Sequence, residues 1–393
     1  MAIWEELKAD ESRMIETYHA LHRIAELGMK EVKTTAFIKQ ELRNAGIEIV
    51  DLGLETGVCA LLRGGSPGPT IALRADIDAL PIQEETGLPF ASEHPGVCHA
   101  CGHDLHTAVL LETARYLGRH RDNLAGNLWL FFQPAEETLS GAHRMIEAGC
   151  MRTDPIPEAI FAIHTRSSAA TGTFVVNRGP INQSCDNIRI TIKSPGGHGA
   201  TPHRCGDPIV TAAELLVQLQ TAVSRFNNCM MPAVLTFGSI HGGNAPNIIP
   251  QEVVMEGTLR TLYRESRDTI REAVCRISEH VGAAMCTQVE VEFIGIPVPS
   301  VFNDDRVVDR VETVIRELFG ADAIQKAEFP GAGSEDFALY LEHCPGAMIS
   351  LGTQSADDPD TALSLHTSKT RFDENSLIYA AALFCRFVED YLR

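Results

Sequence analysis

The run Asn127-Leu128-Trp129-Leu130-Phe131-Phe132-Gln133-Pro134-Ala135-Glu136-Glu137 decides the fold. Its unbroken apolar stretch reads as a strand over Asn127–Phe132, and the proline after it ends the run. Two adjacent carboxylates follow. In an open α/β sheet the segments after such strands line the crevice where ligands bind. Similar runs occupy Val58–Arg63, Thr70–Arg74 and Ala159–Ile163. Helical spacing covers Glu11–Leu27, Thr34–Ala45 with Gly46 as its stop, His103–Arg119 and Gly141–Ala148. Strands separated by helices predict an α/β sheet, mixed but mostly parallel, with helices on both faces.

The middle of the chain changes character. Asp186–Lys193 alternates Ile188, Ile190 and Ile192 as a strand does, and Asp207–Val223 has helical spacing. Strands over Ala233–Ile240 and Glu252–Leu262, a helix over Ser266–Met285 and a strand over Gln288–Phe293 follow. The order β-α-β-β-α-β is that of a ferredoxin-like α+β unit. It is expected as an inserted domain over 183–294, inside a discontinuous domain of 1–182 and 295–393. The last hundred or so residues resume the α/β pattern, with helices over Asp304–Leu318 and Glu374–Leu392 and a strand over Ala347–Leu351.

Composition narrows the function. The 393 residues are 44% hydrophobic and 22% charged, which is globular usage. Lys plus Arg is 33 against 52 Asp plus Glu, a net charge of −19. Such a chain repels phosphate backbones and anionic lipid, so no nucleic acid and no membrane partner is expected. The N-terminus is acidic and amphipathic rather than signal-like, and the 11 cysteines follow no framework spacing. Reduced thiols and a cytoplasmic location are the expectation. Cys59 and Cys385, in apolar stretches, read as small core residues.

The densest chemical signal is Cys98-His99-Ala100-Cys101-Gly102-His103-Asp104-Leu105-His106. One Cys-x-His alone reads as a polar loop. This density of thiols and imidazoles just before a helix favours a divalent-metal site. At Glu136-Glu137, one carboxylate could bind metal while the other faces a water, although an acidic helix N-terminus reads equally well. His164 and His366 are single histidines placed, like the others, after apolar runs.

Together these segments resemble the amidohydrolase branch of the aminoacylase/carboxypeptidase-G metallopeptidases, which includes hippurate hydrolases and N-acetyl-amino-acid deacetylases. The resemblance rests on Leu73–Glu84, the Cys101–Ala108 motif and Gln133–Glu137. It extends to His19–Arg23, Gly196–His203, Asn247–Pro250, Gly257–Arg260, Gly333–Phe337 and Leu365-His366. It implies a catalytic domain holding two divalent ions and an inserted lid that makes a homodimer. It assigns Cys101, His103, Glu137, His164 and His366 as ligands, with the Cys101 sulfur able to bridge, and Glu136 as general base. Asp76 and Asp78 fall in a motif that in this branch is expected to support the ligands rather than supply them. His198 is expected to reach the partner's site as an oxyanion donor.

The sequence departs from the family pattern at Thr165-Arg166, where an apolar-Trp-Pro stretch is usual after the His164 position. It departs again at Thr367-Ser368-Lys369 in place of Asn-Pro-Lys, and at Leu105 in place of a glycine. The expected reaction is hydrolysis of an N-acyl amino acid or similar small amide, with Asn247 and Arg260 holding an anionic substrate. A dipeptidase or exopeptidase would use the same site. A binding protein would not need Glu136, and a cysteine hydrolase using Cys101 would leave both glutamates idle. Zn²⁺ and Mn²⁺ suit the mixed S/N/O donors best, with Co²⁺ and Ni²⁺ also compatible.

Overall fold

The computed structural model describes residues 2–393. It comprises two compact units. The first takes in the chain up to Gly179, Val301–Phe329 and Asp336–Arg393. Its helices are α1 (Ala2–Ala9), α2 (Glu11–Arg23), α3 (Val32–Asn44), α4 (His103–Arg119) and α5 (Gly141–Ala148), then α8 (Asp305–Phe319) and α9 (Ser376–Tyr391). Its strands are β1 (Glu48–Val50), β2 (Val58–Arg63), β3 (Ser66–Asp76), β4 (Ala125–Gln133), β5 (Ala159–Ala170) and β6 (Phe174–Val175), followed by Ile324–Gln325 and a closing strand Gly346–Gln354. They form one eight-stranded sheet in the order β1-β2-β4-β3-β5-closing strand-β6, with Ile324–Gln325 at the far edge.

The sheet is mixed with a parallel centre, as the alternation of strands and helices predicts. β3 runs parallel to β4 and β5, and the closing strand runs parallel to β5. β1, β2 and β4 pair antiparallel. Leu128 through Phe132 of β4 are all fully buried, which is why this strand has no polar alternation. Leu128, Leu130 and Phe132 face the main core, whereas Trp129 turns the other way and donates its indole N–H to Pro155 O at 2.6 Å. On β5, Phe161 packs against Phe384 and Phe387 of α9, with ring centroids 5.4 and 4.7 Å away.

Register brings the chemistry to one end of this sheet. Asp76 pairs with Gln133, so β3 and β4 finish level, and Ser350 of the closing strand lies beside His164. The strands expected over Thr70–Arg74, Gln288–Phe293 and Ala347–Leu351 extend to Ser66–Asp76, Gln288–Val298 and Gly346–Gln354, and two further elements show why ends move. The helix expected over Glu11–Leu27 stops at Arg23, because Glu26 O accepts Ala79 N–H at 2.8 Å and Leu27 bridges Ala79. β5 continues past Ile163 to Ala170, because the closing strand offers it partners out to Gln354.

The second unit comprises Pro180–Ser300 and Pro330–Glu335. Its antiparallel sheet runs Ala233–Gly242, Glu252–Thr261, Cys185–Lys193, Gln288–Val298, with α6 (Pro208–Thr221) and α7 (Arg264–Ala284). Ile188, Ile190, Ile192, Met255 and Leu259 bury against Leu215, Leu219, Ile270 and Val274 of the helices. Asp207 caps α6 by accepting from Ile209 N and Val210 N, ahead of Pro208 at the first helical position. Gln183 N–H donates to Gly333 O, and Gly331 N–H to Ile181 O, which ties Pro330–Glu335 to this unit. A two-stranded ribbon pairs Gly197–His198 with Ile248–Ile249.

Phe161→Ala removes a buried ring from between the sheet and α9. The expected loss is about 3–5 kcal/mol of stability. It should appear as a lower urea midpoint with an unchanged slope.

Candidate metal centre

Three turns and the strand β5, at one end of the first unit's sheet, carry the candidate ligands. Gly102, at φ +84°, turns the chain into α4, so Cys101 and His103 both face the sheet end. After β4, Ala135 adopts φ +51° and Leu139 φ +53°, folding Glu136 and Glu137 back over the strand ends. His366 is also left-handed, at φ +63°, and its N–H donates to Ala100 O at 2.9 Å. The backbone is strained at three non-glycine residues within one site.

The side chains converge. Cys101 Sγ lies 3.5 Å from His164 Nε2 and 3.3 Å from His366 Nε2. His366 Nε2 is 3.4 Å from Glu137 Oε1. His103 Nε2 is 3.8 Å from Glu137 Oε1 and 3.9 Å from Glu136 Oε2. The groups of donors that fit within a 4.8 Å span include Cys101, His103 and His164; Cys101, Glu137 and His366; and His103, Glu136 and Glu137. Cys101, His103 and Glu137 each belong to two of these.

Two of the histidines, His103 and His164, are oriented by a partner on the far nitrogen. His103 Nδ1 faces Asp78 O at 2.9 Å and Asp78 Oδ1 at 3.1 Å, so it carries a hydrogen. His164 Nδ1 donates to Thr165 O at 2.9 Å. Asp78 does double duty, since its Oδ2 accepts the Glu137 N–H at 3.0 Å. Glu31, fully buried, accepts the Ala135 N–H at 2.8 Å. Asp76 accepts from His106 Nδ1 at 2.6 Å and from Arg74 at 2.6 Å.

Charges follow from this packing. Burial pushes the Cys101 thiol up, but His164 and His103 beside it more than reverse this and bring it to about 6. The hydrogen bond to Cys101 and the nearby Glu137 carboxylate raise His366 to about 10. Burial alone would raise Asp76, yet His103, Arg74 and His106 hold it well below the ordinary carboxylate range. Burial lowers His106 to about 4 against the pull of Asp76, so this ring is neutral.

The residues fit divalent ions. A polarised thiolate, three imidazoles and a carboxylate form the mixed donor set of a transition-metal centre. His103 Nε2 and Glu137 Oε1 are buried and have no hydrogen-bond partner among the described residues, which is rare for polar atoms not meant for another ligand.

All five ligands expected from the sequence, together with Glu136, therefore lie in one cluster. Asn247, Arg260 and His198 lie in the second unit. There Gly199 N–H donates to Asn247 O at 2.9 Å, and Arg260 donates to Ser334 Oγ at 3.0 Å. His198 is exposed, and its Nδ1 accepts Ala200 N–H at 3.0 Å, which leaves its hydrogen on Nε2. The sequence reading assigned no role to Arg74, Glu31, His106 or Thr165. Nothing short of the tertiary contacts pairs Arg74 with Asp336, 262 positions away, or Glu31 with Ala135.

Comparison with known proteins agrees with this geometry. Residues 72–390 match the model of peptidase family M20/M25/M40. An N-acetyl-L-cysteine deacetylase of Bacillus subtilis is 41% identical over 377 residues, covering 94% of this chain and 86% of that protein. The hippurate hydrolase of Campylobacter jejuni is 35% identical, covering 95% of each chain. A solved Bacillus subtilis structure, described as a dinuclear metal-binding peptidase of the M20 family, superposes with a TM-score of 0.84 at 36% identity, over 98% of this chain and 99% of that one.

The chain stripped with chelator and reconstituted should take up about two divalent ions by elemental analysis. Glu137→Ala should weaken binding by about tenfold or more. Less than one ion per chain with activity intact would overturn the two-ion reading.

Proposed function

This chain belongs to peptidase family M20/M25/M40, and from its site we propose a metal-dependent amidohydrolase that cleaves N-acyl amino acids or similar small amides. The sharing of Cys101 between two donor groups, with Glu136 alongside, carries this reading. Cys101, His103, Glu137, His164 and His366 would hold the two ions, Zn²⁺ or Mn²⁺ first among the candidates. Such ions supply Lewis acidity, polarising a carbonyl and acidifying water.

The chain's own residues do the rest. Glu136 is 6% exposed, with Oε2 3.9 Å from His103 Nε2. We assign it as the base that takes the proton from the attacking water and hands it to the leaving nitrogen. Glu137 is turned differently because Asp78 holds its N–H, so the neighbouring carboxylates serve different ends. Cys101 is a ligand here and not a nucleophile, which gives both glutamates a task. The relatives named as an N-acetyl-L-cysteine deacetylase and a hippurate hydrolase support an N-acyl amino acid as the substrate class.

Recognition of the substrate carboxylate is assigned to Arg260 and Asn247. His198, with its hydrogen on Nε2, is assigned to the oxyanion of a partner chain's substrate. An edge strand over Ala233–Gly242, with Val234 and Ile240 exposed, supports pairing of two copies through the second unit.

Glu136→Gln should keep its metal and lose about 10²–10⁴ in kcat toward N-acetyl and N-benzoyl amino acids. Loss of metal instead would reverse the roles of the pair. Amidating the substrate carboxylate should lower kcat/KM; unchanged kcat/KM would remove the clamp. Mixing His198→Ala with Glu136→Gln chains should restore activity above either parent. Hybrid dimers without recovered activity would confine His198 to its own chain.

A further inference from the structure

Thr165 makes three hydrogen bonds at the centre of the site, yet it is neither a ligand nor a base. It is 3% exposed. Its hydroxyl donates to Cys101 O at 2.7 Å. Its carbonyl accepts from His164 Nδ1 at 2.9 Å. Its N–H donates to His106 Nε2 at 2.9 Å. One residue thus holds the backbone of one candidate ligand and the ring of another.

The sheet explains why this place needs a clamp. β3 pairs with β5 only as far as Arg74 opposite Ala162. Beyond that point β5 has the closing strand on one side and no strand on the other, so the Thr165 N–H has no carbonyl to reach. His106 stands in for the missing strand. It can accept only with its hydrogen on Nδ1, and Asp76 fixes that tautomer from 2.6 Å. Arg74 in turn holds Asp76. The fit is close on the other side too: a Cβ on Gly102 would lie 2.7 Å from Thr165 Cγ2. Gly102 sits between Cys101 and His103, so the threonine methyl packs closely against the loop that carries both.

We propose that Thr165 is a positioning residue of the metal centre, its hydroxyl locking the Cys101 loop to the strand that carries His164. The proposal rests on the reading of those two residues as ligands. It concerns a position where this sequence departs from the apolar residue its family resemblance leads one to expect. An apolar side chain there can fill the same space but cannot donate to Cys101 O, so in this chain the hydroxyl fixes the backbone of the Cys101 loop.

Thr165→Val keeps the shape and deletes the donor, whereas Thr165→Ser keeps the donor. Affinity is measured by competition with a chromogenic chelator, and geometry by the sulfur-to-cobalt absorption of the Co²⁺-loaded chain. Circular dichroism confirms the fold of each variant. Thr165→Val should lose about 10–100-fold in affinity for at least one ion and shift the cobalt band, as loss of ligand support does elsewhere. Thr165→Ser should match the wild type in both. If Thr165→Val does not fold, Thr165→Ala carries the same expectation. Wild-type affinity and spectrum in the hydroxyl-free variant overturn the proposal, as does an equal loss in Thr165→Ser. A wild-type chain that binds no ion would instead overturn the ligand reading.

Discussion

A guanidinium buried in a sheet is the constraint on which this site depends. Arg74 is 1% exposed, and its Nε donates to Gln133 Oε1 at 2.9 Å while its terminal nitrogens meet Asp76 and Asp336. Removing such a charge from water is costly, and only a full set of acceptors offsets that cost. Each acceptor has a further task. Asp76 sets the tautomer of His106. Asp336 accepts the Ala142 N–H at 2.9 Å, in the first turn of α5, and the Gln133 amide at 2.7 Å. Gln133 is the last residue of β4. The ends of β3 and β4, the start of α5 and the support of β5 are thus fixed around one cation. Breaking any one partner leaves an uncompensated buried charge, so the arrangement tolerates few alternatives.

This explains how adjacent glutamates come to differ. On an ordinary helix or strand, neighbours with like charge would simply repel and face solvent. Here the turn after β4 is pinned at two backbone hydrogens, by Glu31 at Ala135 and by Asp78 at Glu137. At the first of those pins Ala135 adopts positive φ. Glu137 Oε1 comes within 3.4 Å of His366 Nε2, and burial, which would raise its pKa, is outweighed by His366 and His103 so that it is lowered. Position, not residue type, separates the two carboxylates.

Much of this was legible in the sequence, and the limits are physical. The unbroken apolar run of β4 and the β-α-β-β-α-β order declare themselves locally, because burial on both faces or on one leaves a periodic trace. Cys101 and His103 were legible because thiol and imidazole cluster in a few residues around Gly102, whereas Glu137, His164 and His366 were assigned only through the family resemblance. The end of α2 was not, since it depends on a bridge between Leu27 and Ala79 that no local propensity encodes. The length of β5 depends likewise on the closing strand, almost two hundred positions away. His106 and Thr165 were visible only as composition. Their roles arise where β3 runs out and β5 does not, a mismatch of strand lengths that appears once the strands are paired.

The net charge of −19 bears on how the proposed anionic substrate would be held. Screening confines each surface charge to about 8 Å at physiological salt, so the overall field offers little attraction and local donors must supply it. Arg260 is already engaged, donating to Ser334 Oγ at 3.0 Å and to Ala332 O at 3.4 Å. Both acceptors are neutral. A carboxylate replaces such a partner with a charge-assisted bond, which is roughly twice as strong. The exchange is favourable only if Ser334 and Ala332 find water or another donor in return. Arg260 held in this way would be pre-oriented for the proposed carboxylate, by acceptors on Pro330–Glu335 of its own unit.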